Sequence, residues 1–130
     1  MVLQPISTSA AQQPFGPYSQ AIRANGFVFC SGHAGVDPAT DTLVEGVEQQ
    51  TRQVLRNLRE VLNAAGSDLS QVVQVCVYLK HMEDFAPMNA IYEEIFGTHK
   101  PARTTVEVSN LAKPGALIVM DLIALATSDR

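Results

Sequence analysis

The sequence predicts an α+β fold in which one domain, residues 1–130, forms a mixed β-sheet with two helices packed on one face. Two segments, 47–65 and 85–96, repeat apolar residues with a helical period, and five shorter segments have the composition of strands. Their order is strands, helix, strand, helix, strands. The length of 130 residues suits one hydrophobic core.

The first strands form a predicted hairpin. Segments 21–25 and 27–31 flank Asn25-Gly26, a pair typical of tight hairpin turns because both central residues need positive φ. Residues 32–41, rich in Gly, Pro and Asp, are expected to form a loop.

Glycines mark the ends of both predicted helices. Gly66 follows the first apolar stripe where a C-terminal cap is expected, and Gly97 follows the second. Asp84 is the expected N-cap of the second helix.

The strands at 72–79 (VVQVCVYL) and 117–125 (LIVMDLIAL) are apolar on both faces. Such runs are typical of strands buried on both sides, yet two helices can cover only one face of the sheet. A large apolar patch usually marks a protein interface, so we expect an oligomer whose sheets pack against one another.

Composition excludes several classes of function. A net charge of -4 and a pI near 5.2 argue against nucleic acid as a partner. No apolar run reaches the ~20 residues that span a membrane, and residues 1–13 lack the Lys or Arg of a secretory signal. Cys30 and Cys76 are not a CxxC pair and are expected to be thiols in a reducing compartment, so we expect a cytoplasmic protein.

Arg103 is the sharpest candidate for a functional residue. It interrupts the strand-like segment PARTTVEV, where Arg103, Thr105 and Glu107 share one face. We expect this face to point away from the helices, toward the subunit interface. A guanidinium can bind a ligand carboxylate through two parallel hydrogen bonds, or it can pair with an acid of another subunit. Position alone leaves both possibilities open.

Four motifs together resemble the RidA/YjgF family. FGPYSQAI, FCSGHAGVDP, FAPMNAIYEEIFG and PARTTVEV occur in that family's order, and the resemblance extends from Gly16 to Ala126. It implies a chorismate-mutase-like fold and a homotrimer with a barrel-like core, with active sites between subunits. It also implies a deaminase without cofactor that hydrolyses 2-imino and enamine acids, such as 2-iminobutanoate and 2-iminopropanoate, to 2-oxo acids and ammonia.

The resemblance also implies roles for individual residues. Arg103 matches the arginine that binds the substrate carboxylate, and Tyr18 matches the tyrosine that helps to close the pocket. Ser31 and Gly32 match a serine-glycine pair at a strand end, and Asn89 matches an asparagine on the second helix. Taken singly, a tyrosine such as Tyr18 is typical of ordinary packing. A serine such as Ser31 usually makes a local hydrogen bond to the backbone, and an asparagine such as Asn89 usually lies on a solvated helix surface.

The chain departs from the family pattern at two places. Thr104-Thr105 follow the arginine, and Thr105 still offers a hydroxyl to the pocket. More seriously, the ungapped match to the family places Val119 at the position of a glutamate that handles the attacking water, whereas a shift by two residues would place Asp121 there. Asp121, on the same face, and His33, in SGHAGVD, are the candidate substitutes.

Three alternatives remain open at this stage. The chain can be a deaminase specific for a larger enamine acid, or a non-catalytic binder of small 2-oxo or carboxylic acids. A ribonuclease or translation-inhibitor role, attributed to some family members, has no support from the acidic composition. No phosphate-binding glycine loop, nucleophile elbow or local metal-ligand motif occurs in the sequence.

Overall fold

A mixed six-stranded sheet and two helices form the fold. The computed structural model describes residues 2–127, so residues 1 and 128–130 of the predicted domain lie outside it. The strands of the chain are β1 (Gln4–Ile6), β2 (Ala21–Ala24), β3 (Phe27–Ala34), β4 (Val36–Asp37), β5 (Thr42–Leu43), β6 (Val72–Leu79), β7 (Ala102–Glu107) and β8 (Ile118–Leu125). The helices are α1 (Val47–Ala64) and α2 (Phe85–Phe96).

The sheet has the order β1-β2-β3-β8-β6-β7, while β4 and β5 pair separately. All neighbours in the large sheet are antiparallel except β6 and β7, which are parallel and are connected through α2. The predicted α+β class with a mixed sheet is therefore confirmed.

The predicted hairpin turn is present between β2 and β3. Asn25 and Gly26 have φ of 51° and 83°, and the flanking Ala24 and Phe27 pair directly. The following strand is longer than predicted, because β3 continues to Ala34. Gly and Pro in residues 32–41 suggested an uninterrupted loop, but this stretch also contains β4 and the turn before β5.

The helix ends agree with the sequence except at one cap. Gly66 and Gly97 adopt φ of 78° and 64°, which a glycine tolerates without the strain of a side chain. Asp84 occupies the N-cap position of α2, but its side chain makes no capping hydrogen bond. A 3₁₀ turn at Met82–Asp84 leads into the helix instead.

The two helices cover the same face of the sheet, as predicted. Val75 and Leu122, on the central strands β6 and β8, are buried in one core with Leu58 of α1 and Met88 of α2. We call this side the helix face and the other side the outer face. On the outer face, five apolar side chains remain substantially exposed, namely Phe27, Phe29, Val73, Val106 and Leu125.

Candidate functional site

Four residues predicted for the site line one depression of the chain. Tyr18, Ser31, Gly32 and Val119 surround a cavity of about 340 Å³ beside β3, which we call the β3 cavity. The remaining lining residues are Phe15, Ala34, Leu111, Ala112 and Lys113. The structure therefore brings together residues separated by about a hundred positions in the sequence, most of them apolar.

A β-bulge places Ser31 and Gly32 at this cavity. Pairing between β3 and β8 is regular up to Cys30, which lies opposite Leu122, and resumes at His33 opposite Met120. The extra residue leaves the serine and glycine out of the regular ladder, as bulges do. Ser31 is secured from the other side, since its Oγ donates to the Ser19 carbonyl (2.6 Å) and its N–H donates to the Gln20 carbonyl (3.0 Å).

Only a glycine fits at position 32 without displacement of its neighbour. A Cβ added to Gly32 would lie 2.9 Å from Cγ1 of Val119. This close approach narrows the cavity where β3 and β8 meet.

Tyr18 lies at the mouth of the β3 cavity. Its ring packs edge-on against Phe15, with centroids 6.0 Å apart, and its hydroxyl accepts a hydrogen bond from the Phe15 N–H at 3.3 Å. The Lys113 ammonium lies 5.7 Å from the centre of the Phe15 ring and is the cation among the lining residues. The tyrosine is thus held locally while much of its surface stays accessible to a ligand or a second subunit.

Val119 leaves the β3 cavity without a lining carboxylate. Asp121 lies on the same outer face, because Val119 pairs with Tyr78 and Asp121 pairs with Cys76. The Tyr78 hydroxyl donates to Oδ2 of Asp121 at 2.9 Å, and this bond is the main reason that the pKa of Tyr78 is raised to about 12. Asp121 therefore retains Oδ1 for a further hydrogen bond.

His33 does not line the cavity, so the expectation that it faces a cleft is wrong. Its side chain is 2% exposed and lies opposite the fully buried Met120. Nδ1 donates to the Ser31 carbonyl at 2.8 Å, and burial lowers the pKa of the imidazole. The sequence predicts a loop at this histidine, but β3 continues to Ala34 and the bulge turns position 33 toward the core.

Arg103 faces the helices, so the prediction that it points away from them is also wrong. It lies opposite Val75 in the parallel ladder, and Val75 is buried in the core beneath the helices. The guanidinium carbon lies 4.7 Å from the centre of the Tyr92 ring and 5.6 Å from that of Phe85. Alternation separates two sets of residues along a strand, but it does not say which set meets the helices.

Arg103 and Asn89 lie together at a second depression, which we call the α2 cavity. It measures about 390 Å³ and is also lined by Tyr92. The remaining lining residues are Glu93, Phe96, Gly97, His99, Lys100 and Pro101. Sequence reasoning placed Tyr92 in the buried stripe and missed its contact with Arg103. Tyr92 lies three residues after Asn89 and therefore on the same surface of α2, which could have indicated that it lines the same cavity.

Two buried hydroxyls near Arg103 have no hydrogen-bond partner in residues 2–127. They are Oη of Tyr92 and Oγ1 of Thr105, which shares the helix face of β7 with Arg103. Burial raises the pKa of Tyr92, whereas the charge of Arg103 acts to lower it.

The two cavities cannot serve one small ligand within a single chain. They share no lining residue, and Val119 and Arg103, one from each cavity, lie on opposite faces of the sheet. In the order β3-β8-β6-β7, three strand spacings, or about 14 Å, separate β3 from β7. The residues predicted for the site therefore fall into two separated groups within one chain.

Residues 2–127 lack two other features, a membrane-spanning helix and a metal-binding cluster. No helix there is long and apolar enough to cross a membrane. The same residues contain no group of three or more His, Cys, Asp or Glu side chains placed to hold a metal ion.

Comparison with known proteins gives consistent matches along nearly the whole chain. A family model described as endoribonuclease L-PSP matches residues 8–126. A RutC family protein of Pyrococcus horikoshii is 52% identical over 120 residues, which cover 92% of this chain and 94% of that protein. The chloroplastic Reactive Intermediate Deaminase A of Arabidopsis thaliana is 47% identical over 107 residues, or 82% of this chain and 57% of the plant protein. The crystal structure of Escherichia coli TdcF with bound serine superposes with a TM-score of 0.90 at 30% identity, covering 95% of this chain and 99% of that one.

Proposed function

The chain belongs to the RidA/YjgF family, the family of the endoribonuclease L-PSP model, and we propose that it hydrolyses imines of 2-amino acids to 2-oxo acids and ammonia. Family membership and the plant relative named as a reactive intermediate deaminase support RidA-type activity in general. The substrates that we propose are small 2-imino acids such as 2-iminobutanoate and 2-iminopropanoate. The proposed reaction adds water across the C=N bond and then expels ammonia.

Arg103 anchors the substrate in this proposal. Its planar fork can bind the carboxylate through two parallel hydrogen bonds, which fixes the imine carbon at a set distance from the protein. Asn89 lines the same cavity and supplies an amide for a further hydrogen bond. The TdcF structure with bound serine supports a carboxylate-bearing ligand, since serine carries that group.

The other half of the proposed site surrounds the reacting carbon. Tyr18 closes the β3 cavity, while the bulge at Ser31 and Gly32 presents backbone groups to the ligand. Neither candidate substitute for the glutamate lines the β3 cavity, but Asp121 is the better placed, because it shares the outer face with Val119 whereas His33 is buried on the helix face. Asp121 accepts a proton from the attacking water through the oxygen that Tyr78 leaves free. The proposed chemistry uses no cofactor.

The assembly that we propose is a homotrimer with sites between subunits. The number of subunits comes from the family resemblance, and one observation supports the sharing of the site. The two halves of the site lie on opposite faces of one sheet, so Arg103 of one subunit must meet the β3 cavity of the next. The exposed apolar side chains of the outer face support packing of the three sheets around a barrel-like core. We place the protein in the cytoplasm, because Cys30 and Cys76 are free thiols.

A coupled assay tests the proposed activity. An amino-acid oxidase generates 2-imino acids in situ, catalase removes peroxide, and semicarbazide traps the imine that survives. We expect the wild type to lower semicarbazone formation and Arg103→Ala to lose this effect. Arg56→Ala is the matched control, since Arg56 is an exposed arginine on α1 outside both cavities. Wild-type activity in Arg103→Ala would refute the anchoring role, and an inactive wild type on every imine would refute the deaminase.

Mixed oligomers test whether the site is shared. Arg103→Ala removes one half, and Gly32→Val blocks the other by its clash with Val119. When the two variants are unfolded and refolded together in equal amounts, about one quarter of the sites contain both intact halves, because each contributing subunit is intact in half of the cases. Recovery of about one quarter of wild-type activity supports the shared site. A mixture as inactive as its components contradicts it.

A non-catalytic binder of small 2-oxo or carboxylic acids is the second candidate. The absence of a carboxylate among the residues that line the β3 cavity favours it. Saturable binding of 2-oxobutanoate without any acceleration of imine decay would establish this reading. Activity confined to bulkier amino acids in the coupled assay would instead indicate a deaminase for a larger enamine acid.

A further inference from the structure

Arg103 is held by aromatic rings from a different element of the fold. Its guanidinium carbon lies 4.7 Å from the centre of the Tyr92 ring and 5.6 Å from the centre of the Phe85 ring. Both rings belong to α2, whereas the arginine belongs to β7. Both distances are within the range in which a ring attracts a cation.

These contacts restrict a side chain that is otherwise free to adopt many rotamers. Arg103 lies on the edge strand of the sheet, so only one neighbouring strand limits it. A ring over the guanidinium fixes the plane of that group while its N–H groups, which point outward within the plane, stay available. A planar carboxylate binds through those N–H groups.

Core packing accounts for Tyr92 in part, but it does not account for Phe85. Phe85 is 37% exposed and does not belong to the hydrophobic core. Tyr92 is buried, but its hydroxyl has no hydrogen-bond partner in residues 2–127. Its ring packs in the hydrophobic core, 4.6 Å from the centre of the Phe96 ring, so the contact with Arg103 is made by a ring that is already fixed in place.

We propose, given the proposed role of Arg103, that Tyr92 and Phe85 are positioning residues that preorganise the arginine for the carboxylate of the ligand. They act on the affinity for the carboxylate and not on the hydrolytic step. Loss of either ring leaves the charge of Arg103 in place but lets the guanidinium move, so each binding event must order it again.

Substitutions that remove or keep each ring test this role. Phe85→Leu is expected to raise both the KM for the imine and the Kd for 2-oxobutanoate about threefold. Tyr92→Leu is expected to raise both constants about tenfold. The kcat of each variant should stay within about twofold of the wild-type value. Tyr92→Phe keeps the ring and is expected to recover most of the affinity lost in Tyr92→Leu. Calorimetric titration with 2-oxobutanoate measures the Kd, and the thermal midpoint of each variant reports folding.

Met82→Leu is the matched control. Met82 is an exposed apolar residue (40%) in the turn before α2, and it makes no aromatic contact with Arg103. Wild-type affinity in the folded Phe85→Leu and Tyr92→Leu proteins would overturn the positioning role, even where Arg103→Ala abolishes binding. Phe85→Leu alone decides the question if Tyr92→Leu does not fold, because Phe85 lies outside the core. A wild type that neither binds 2-oxobutanoate nor hydrolyses imines overturns the proposed function together with this inference.

Discussion

The close approach of Gly32 to Val119 makes Gly32→Ala an informative substitution. The new Cβ would lie 2.9 Å from Cγ1 of Val119, whereas carbon atoms prefer a separation of about 3.5–4.0 Å. The two groups must therefore move apart by up to about 1 Å. Overpacking of this kind costs about 1–3 kcal/mol in a core, and we expect about 1 kcal/mol here because Gly32 is exposed and Val119 is half-buried.

The same displacement moves a valine methyl group within the β3 cavity. If the ligand meets that group, a change of about 1 kcal/mol in transition-state binding lowers kcat/KM about fivefold. The coupled imine assay measures kcat/KM, and urea unfolding at one protein concentration measures the loss of stability.

Two further variants distinguish this clash from a general effect of alanine. The double variant Gly32→Ala/Val119→Ala removes the methyl group that is hit and should recover most of the lost stability and activity. Gly16→Ala serves as the control, because its Cβ would lie at an ordinary 3.4 Å from the Tyr18 ring. Unchanged stability and kcat/KM in Gly32→Ala, or no recovery in the double variant, would refute the reasoning.

Three further predictions concern groups around the site. Tyr78→Phe should lower the free energy of unfolding by about 1 kcal/mol near neutral pH, a value reduced for partial solvent exposure of the bond to Asp121. The pKa of Tyr78 is about 12 in the folded protein and about 10 in the unfolded chain, so the stabilisation is complete below about pH 10 and is lost as pH rises toward 12. A difference between wild type and Tyr78→Phe that does not change with pH in urea unfolding would contradict this prediction. Burial lowers the pKa of His33, so the neutral imidazole contributes its full share to the free energy of unfolding above about pH 6.5. This contribution is lost as pH falls through the folded pKa of His33. His33→Gln should therefore make the free energy of unfolding depend less on pH on the acid side. Thr105→Val removes a buried hydroxyl without a partner and should raise the unfolding midpoint, whereas a lower midpoint would show that the hydroxyl is hydrogen-bonded in solution.

The elements with strong local signals were predictable from the sequence. The stripe of α1, the turn at Asn25-Gly26 and the apolar runs of β6 and β8 each involve several residues in one pattern, and the structure contains all of them. The strands β1, β4 and β5 were missed because two or three residues cannot show a period. Their pairing depends on neighbours that are distant in the sequence.

The candidate site was predictable as a set of residues but not as a geometry. The motifs that carry Tyr18, Ser31, Arg103 and Asn89 could be recognised one by one, and each residue lies at a cavity of the chain. The sequence did not show which face of the sheet each side chain of β7 occupies. The neighbouring strand β6 is apolar on both sides, so its pattern does not show which residues of β7 meet the helices. The burial of His33 also depends on a bulge, which has no reliable signature in a single sequence.

The bulge in β3 also restricts how the length of this segment can change. Val28 and Cys30 face the core before the bulge and His33 faces the core after it, although Cys30 and His33 are three positions apart instead of two. Removing one residue between Cys30 and His33 would restore regular pairing with β8 and keep both side chains toward the core, but it would take away one of the two residues that the bulge presents to the β3 cavity. A deletion here should therefore spare folding but lower ligand binding or imine hydrolysis, whereas a deletion in the exposed turn around Thr40 should change neither. The spacing from Cys30 to His33 constrains the β3 cavity as strongly as the identity of the serine and glycine between them.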